Sequence, residues 1–235
     1  MADQPNALVF GGLGAIGDAV ATALAEHDQR VFRTSRFPVA DNHDVLAIDP
    51  FESQGPGLSG LDDLPELQAV VWAQGVNAGD SVGRFDRSGF EDLLRANCTF
   101  VAVTLAAMLE RNLLAHGARL CVVSSIWQTV ARQHKLSYTV SKAAVGGLVR
   151  SCAVDLADRG ILVNAVLPGA VDTPMTRAAL TPEQLAKLAA STGFQRLTSV
   201  ADVVSLVCYL CSEANTGVTG QSIAVDLGYS VVQLV

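Results

Sequence analysis

Tyr138 and Lys142 stand four residues apart in the stretch SYTVSK at 137–142. Residues i and i+4 of a helix share one face, one turn apart. The sequence around the pair has helical spacing, so the phenol and the ammonium are expected to point the same way. A tyrosine hydroxyl has an ordinary pKa of about 10, and a neighbouring ammonium favours the phenolate. The pair is therefore expected to bring the phenol toward working pH, where it serves as a general acid or base. Two further polar residues could join it. Ser125 ends the apolar run ARLCVVSS at 118–125, thirteen residues before Tyr138, and Asn97 lies in RANCTF at 95–100. Each has an ordinary reading when taken alone. Ser125 is then a strand-end hydroxyl, Asn97 a mid-helix polar residue, and Tyr138 with Lys142 a pair whose polar tips reach water from an amphipathic helix.

A second chemistry-bearing stretch is GGLGAIG at 11–17. It follows the apolar run NALVF (6–10) and opens AIGDAVATALAEHD (15–28), in which Ile16, Val20 and Leu24 share a helical face. A strand turning tightly into a helix presents free N–H groups and positive potential to a pyrophosphate. Gly11, Gly14, Ala15, Ile16 and Gly17 are thus candidate dinucleotide contacts, in the strand–turn–helix context that the motif requires. The next extended run, RVFRT (30–34), leads into Ser35 and Arg36. An acid here would read the adenosine ribose hydroxyls of NAD, whereas an arginine fork suits the 2′-phosphate of NADP. Ser35 and Arg36 stand at this point, Arg33 is close by, and no acid comes before Asp41. NADP is the expected cofactor, with NAD the alternative if Arg36 is only a surface residue. Asp49, at the end of the third strand, is placed at the adenine ring.

These residues need elements to position them. DVLAID (44–49), LQAVVWA (67–73), ILVNAVLP (161–168) and residues 222–226 read as further strands. Residues 87–115, 138–159, 182–191 and 200–213 carry helical spacing. Strands alternating with helices predict an α/β, doubly wound parallel sheet with helices on both faces, as a single domain over 1–235. PFESQGPGLSGLDDLPE (50–66) reads as a loop with one short helical turn. Pro168 and Gly169 break the chain just after a strand, at the carboxyl edge where such sheets bind ligands. Val171 and Thr173 follow and are expected to face the nicotinamide amide and the phosphates. Residues 174–198 are expected to form a mobile lid over substrate. Ile126, Trp127 and Gln128, with Thr129, are expected to line the substrate pocket, although Trp127 reads equally well as core.

Composition sets the class. Half of the 235 residues are hydrophobic and 17% are charged, which predicts a folded core and argues against disorder. The net charge is −7 with no long basic run, so nucleic acid is not an expected partner. MADQPNALVF has no basic stretch followed by an apolar one, and no apolar run approaches the roughly 20 residues of a membrane span. A cytoplasmic protein without membrane contact is expected. The five cysteines are scattered, which argues against a disulfide framework. Cys208 and Cys211 read as buried small hydrophobes, and no second ligand pair is spaced for zinc, so no metal is expected.

Taken in order, these residues resemble a short-chain dehydrogenase/reductase in its compact single-domain form, with a Rossmann-type sheet. The resemblance covers nearly all of the chain. It runs through FGGLGAIG (10–17), WAQG ending at Gly75, Asn97, Ser125, Tyr138 with Lys142, PGAVDTPM (168–175) and TGQSIAVDLG (219–228). It implies hydride transfer between NADP(H) and a ketone or secondary alcohol, as in an NADPH-dependent carbonyl reductase. Tyr138 would give a proton to the alkoxide or take one from the alcohol. Lys142 would also hold the nicotinamide ribose, Ser125 the substrate oxygen, and Asn97 a water-linked proton path to Lys142. A homotetramer or homodimer, paired through helices 87–115 and 138–159, is implied as well. The chain departs from the family pattern at several points. Phe10 stands where threonine is usual, Trp72–Ala73–Gln74–Gly75 replaces Asn-Asn-Ala-Gly, and Asp226–Leu227–Gly228 replaces Asp-Gly-Gly. The connection between the second and third strands is short for a crossover helix. The glycine pattern is closer to the epimerase-like branch, whose extra substrate domain this chain has no length for. The competing reading is a non-catalytic nucleotide-binding regulatory protein of the same fold. The missing asparagine signature favours it; such relatives usually lose the tyrosine or the lysine, and both stand here.

Overall fold

The computed structural model describes residues 4–37, 39, 45–51 and 57–231. Asp41 and His43 lie outside these. Seven strands form one parallel sheet: β1 (Asn6–Phe10), β2 (Arg30–Ser35), β3 (Val45–Ala47), β4 (Leu67–Trp72), β5 (Leu114–Val123), β6 (Leu162–Pro168) and β7 (Ser222–Val225). Their order across the sheet is β3-β2-β1-β4-β5-β6-β7. The order reverses direction between β1 and β4. That switch point opens a crevice at the carboxyl ends of the strands.

The central strands are mostly apolar on both sides because helices cover both faces. β1 shows how this works. Leu8 and Phe10 join one core with Trp72, Phe100 and Val145, while Ala7 and Val9 join the other with Val20 and Val203. Helix α1 (Ala15–Glu26) and α7 (Val200–Cys211) pack on the second face. The first face is covered by α3 (Phe100–Glu110) and α4 (Leu136–Asp155), with α2 (Arg87–Leu94) packed against α4. The predicted C-x-x-C helix is α7, where the Cys211 thiol packs against that of Cys121 on β5 and Cys208 is half-buried.

Three boundaries differ from expectation. The helix expected over 87–115 ends at Glu110, where Asn112 takes a left-handed conformation at φ 53° that terminates a helix. Leu114 and Ala115 continue the apolar spacing but belong to β5, with Leu114 registered against Leu67. The helix expected over 138–159 begins two residues earlier and stops at Asp155. A 3₁₀ turn, Ala157–Arg159, and Gly160 at φ 65° then turn the chain into β6. The expected short turn within 50–66 is a 3₁₀ turn at Ser59–Leu61.

Arg87–Glu110 is one continuous helical run of 24 residues, long and apolar enough by those measures to cross a membrane. No single apolar run in the sequence signalled this, because Glu91, Asp92 and Arg95 interrupt it. In the fold Leu93, Phe100, Val101, Leu105 and Met108 are buried in the protein core.

Candidate active site

The glycine turn follows β1 directly. Gly11 has φ 71°, and a Cβ there would fall 2.7 Å from the Gln74 backbone nitrogen. The turns after β1 and β4 therefore meet at the switch point. Gly17 lies beneath: a Cβ there would come within 2.2 Å of the Gly11 carbonyl oxygen. Gly14 is the N-cap of α1 and supplies no side-chain cap, and Gly14 and Ala15 are exposed. The first turn of α1 thus has no side-chain cap, and its backbone is exposed at Gly14 and Ala15. This fits the pyrophosphate of a nicotinamide dinucleotide. Ser35 and Arg36 end β2, and Ser35 Oγ accepts from the Phe37 N–H. Arg36 is exposed, with its guanidinium 5.9 Å from the Phe37 ring centre. Arg33 is occupied elsewhere, with Nη2 3.6 Å from Asp18 and 3.4 Å from Thr22 on α1. Asp49 is buried, and its carboxylate accepts from the Phe51 N–H.

Two departures from the family pattern prove to be one feature. Phe10 and Trp72 are registered neighbours on β1 and β4, and their rings stack at 5.6 Å with an 8° tilt. The Trp72 indole N–H donates to Thr104 Oγ1 on α3. A fully buried aromatic pair replaces polar residues under the crevice. Such pairs contribute about 0.5–1.5 kcal/mol beyond their burial.

Tyr138, Ser125 and Lys142 come together at the carboxyl ends of β5 and β6. Ser125 is 7% exposed, and its hydroxyl lies close enough to the Tyr138 phenol to favour the phenolate. Lys142 is 4% exposed, its Nζ donates to the Val123 carbonyl at 3.4 Å, and it lies 5.7 Å from the Tyr138 ring centre. Burial pushes the Lys142 ammonium down to about 8, against an opposing pull from Cys98. Burial also raises the Tyr138 phenol above its ordinary value, and the nearby Ser125 hydroxyl lowers it only in part. The expectation that Lys142 brings the phenol down is not met. Desolvation of a largely buried phenol outweighs an ammonium that is itself desolvated.

Asn97 sits in the π-helical turn Arg95–Thr99 between α2 and α3. Such single wide turns mark functional sites. Its Oδ1 accepts from Val76 N at 2.8 Å, and its Nδ2 donates to the Val76 carbonyl and to Ser141 Oγ, both at 3.0 Å. Asn97 and Lys142 both face Gly75: a Cβ there would stand 3.0 Å from Asn97 Oδ1 and 3.5 Å from Lys142 Nζ. Val76 and Ser141 were missed in the sequence. Ser141 lies one helical turn beyond Ser137 in SYTVSK, which was the available signal; Val76 acts through its backbone and gives none.

The pocket expectations need correction. Ile126 is 2% exposed and belongs to the core, because the 3₁₀ turn Ile126–Gln128 packs against α4. Gln128 turns away from the carboxyl edge: its Nε2 donates to Ser222 Oγ at the opposite end of β7. Trp127 is half-buried and meets Tyr229 edge-on at 6.2 Å. Pro168 ends β6, and Gly169 N donates to the Val225 carbonyl. Val171 pairs with Thr198, closing the base of the 174–198 segment. That segment holds α5 (Pro174–Ala179) and α6 (Pro182–Ala190). Of these, the sequence spacing predicts only α6 as a helix. Thr173 caps α5 by accepting from Thr176 N, so its hydroxyl is already engaged. Ion pairs Arg177–Asp172 and Arg196–Asp202 flank the segment. Among the described residues, no cluster of His, Cys, Asp and Glu is arranged to hold a metal.

A family model described as enoyl-(acyl carrier protein) reductase matches residues 61–230. Full-length relatives agree with it. A cis-4-hydroxycyclohexanecarboxylate dehydrogenase of Sinomonas cyclohexanicum is 30% identical over 99% of this chain and 90% of its own. The chain is a short-chain dehydrogenase/reductase. A second relative in this oxidoreductase family, glucose 1-dehydrogenase of Gluconobacter oxydans, is 34% identical over 95% of this chain and 91% of its own. The fold matches the crystal structure of a short-chain dehydrogenase family protein from Francisella tularensis with TM-score 0.86, at 24% identity and covering 97% of this chain and 100% of that one. These relatives carry names of dehydrogenases, which does not favour the regulatory reading.

Proposed function

We propose that the protein transfers hydride between NADP(H) and a ketone or secondary alcohol, with Tyr138 as general acid and base. The observation that carries this reading is the Tyr138 phenol next to Ser125 with the buried Lys142 5.7 Å from its ring centre, together with the uncapped glycine turn after β1. A bound nicotinamide supplies the hydride chemistry. Ser125 is placed to hold the substrate oxygen against the phenol. Tyr138 donates its proton to the alkoxide in reduction and withdraws the hydroxyl proton in oxidation. Lys142 lies where it can bond the nicotinamide ribose, and Asn97 fixes the Val76 backbone beside it. Pro168, Gly169, Val171 and Thr173 form the edge over which the nicotinamide would lie. The 174–198 segment, closed at its base by Val171 and Thr198, is the substrate lid.

NADP is favoured because Arg33 is drawn to α1, while Arg36 is exposed just after β2. Fluorescence titration should show tighter binding of NADPH than of NADH. Arg36→Leu should weaken NADPH by roughly 10- to 100-fold, the worth of a charge-assisted hydrogen bond, and leave NADH unchanged. Equal loss for both cofactors would make Arg36 a structural residue and reopen the choice of NAD. Ring alcohols and their ketones are the first substrate panel, guided by the names of the two relatives.

The helices over 87–110 and α4 are proposed to pair with their copies in a homotetramer. Val140 and Val154 on α4 are 38% and 75% exposed, apolar surface that a second copy would cover. Light scattering at micromolar concentration should give four times the chain mass; a monomer would sink the pairing.

A further inference from the structure

The first turn of α4 carries Tyr138 but has no cap of its own. Lys135 occupies the N-cap position and makes no side-chain cap bond. The first N–H groups of a helix need partners, and here they come from the loop after β4, more than fifty residues upstream. Asp80 accepts from the Ser137 N–H at 2.9 Å and from the Ser137 hydroxyl, and its backbone carbonyl accepts from the Leu136 N–H at 3.5 Å. Lys135 Nζ donates to Asn77 Oδ1 at 2.7 Å and to the Ala78 carbonyl at 3.0 Å. That ammonium lies 5.7 Å from the Tyr138 ring centre, the same distance as Lys142. The loop begins at Val76, whose backbone is bonded in both directions to Asn97. It therefore ties the Asn97 side of the site to the residue immediately before Tyr138. A carboxylate is well suited to this end of a helix, where the backbone dipole favours negative charge and N–H···O⁻ bonds are strong.

We infer that Asp80 is a positioning residue for Tyr138, clamping the first turn of α4 so that the phenol stays packed against Ser125. The inference rests on the reading of Tyr138 as acid and base. It assigns Asp80 no contact with substrate. The clamp matters because a displacement of about 1 Å in a reacting group can lower a rate by about a hundredfold. The charged and titratable groups around the phenol are Lys142 on α4, Lys135 at its start, Asp80 through Ser137, Arg132 beside Lys135, and Cys98 beyond Lys142.

The test compares Asp80→Ala, Asp80→Asn, Ser137→Ala and Tyr138→Phe in the full chain. Asp80→Ala should lower kcat for oxidation of cis-4-hydroxycyclohexanecarboxylate or glucose, whichever is turned over, by about 10- to 100-fold, with KM and the NADPH affinity within about threefold. Asn keeps an acceptor for Ser137 N and should restore kcat to within a few-fold of the parent. NMR titration of labelled tyrosine gives a readout that needs no substrate. Tyr138, identified as the resonance missing in Tyr138→Phe, should titrate above the ordinary tyrosine range in the parent and in Asp80→Asn. In Asp80→Ala it should move down toward about 10 as the freed turn admits water. If Asp80→Ala does not fold, Ser137→Ala should show the same shift in smaller measure. An unmoved titration and unchanged kcat in a folded Asp80→Ala, or an unmoved titration in Ser137→Ala, would overturn the clamp. Full turnover by Tyr138→Phe would instead overturn the acid–base reading beneath it.

Discussion

Tyr138→Phe is expected to abolish measurable turnover while leaving NADPH affinity within a few-fold. General acid–base catalysis contributes about 10²- to 10⁴-fold, and the substitution removes only the hydroxyl that carries the proton. The half-buried ring keeps its place between Lys135 and Lys142. Steady-state kinetics and a cofactor titration on the same preparation check this. Loss of binding as severe as the loss of rate would count against a role in proton transfer. The pH dependence follows from the same chemistry. Burial raises the phenol, so the protonated form that reduction needs persists through neutral pH. Ketone reduction should stay level there and fall only as pH rises through the raised value. Alcohol oxidation needs the ionised form and should climb over the same range. Lys142, pushed down to about 8 by burial, loses its proton earlier, and bonding to the ribose should hold it protonated to higher pH.

The second large effect is expected at Gly17. A Cβ there would sit 2.2 Å from the Gly11 carbonyl oxygen and 2.8 Å from its carbon. Both are backbone atoms, and Gly11 is itself pressed against Gln74 with φ 71°, so the turn has nowhere to relax. Overpacking in a tight interior costs about 1–3 kcal/mol, and here the strain falls on the cradle that would receive the pyrophosphate. Gly17→Ala should lower the melting temperature by several degrees and abolish NADPH binding. Gly217→Ala, in the loop between α7 and β7, is the matched control: nothing lies within 4 Å of its Cβ position and its φ is not positive. That variant should be as stable as the parent or slightly more so, since alanine narrows the conformations of the unfolded chain. Gly17→Ala with normal binding would show that the α1 turn is not the cofactor cradle.

The sequence by itself determined the class of fold and brought Tyr138 and Lys142 together as candidates for one site. Apolar runs alternating with helical spacing require a parallel sheet covered on both faces, because the central runs bury successive positions on both sides. Tyr138 and Lys142 share a face by helix geometry alone, and the glycines of the first turn announce their strand and helix. Other features required the tertiary structure. Phe10 and Trp72 looked like two separate departures until parallel register placed them side by side. The ends of the long helices were set by Asn112 and by pairing of Leu114 with Leu67, contacts that no local spacing encodes. Ile126 and Gln128 follow Ser125 in sequence but leave the pocket, because packing against α4 dictates where the 3₁₀ turn points. The direction of the Tyr138 shift was misjudged because spacing reveals a neighbouring charge but not the depth of burial, and here burial is the larger effect. The partnership of Asp80 with Ser137 spans the crossover from β4 to α4, and only the folded sheet brings those two turns together.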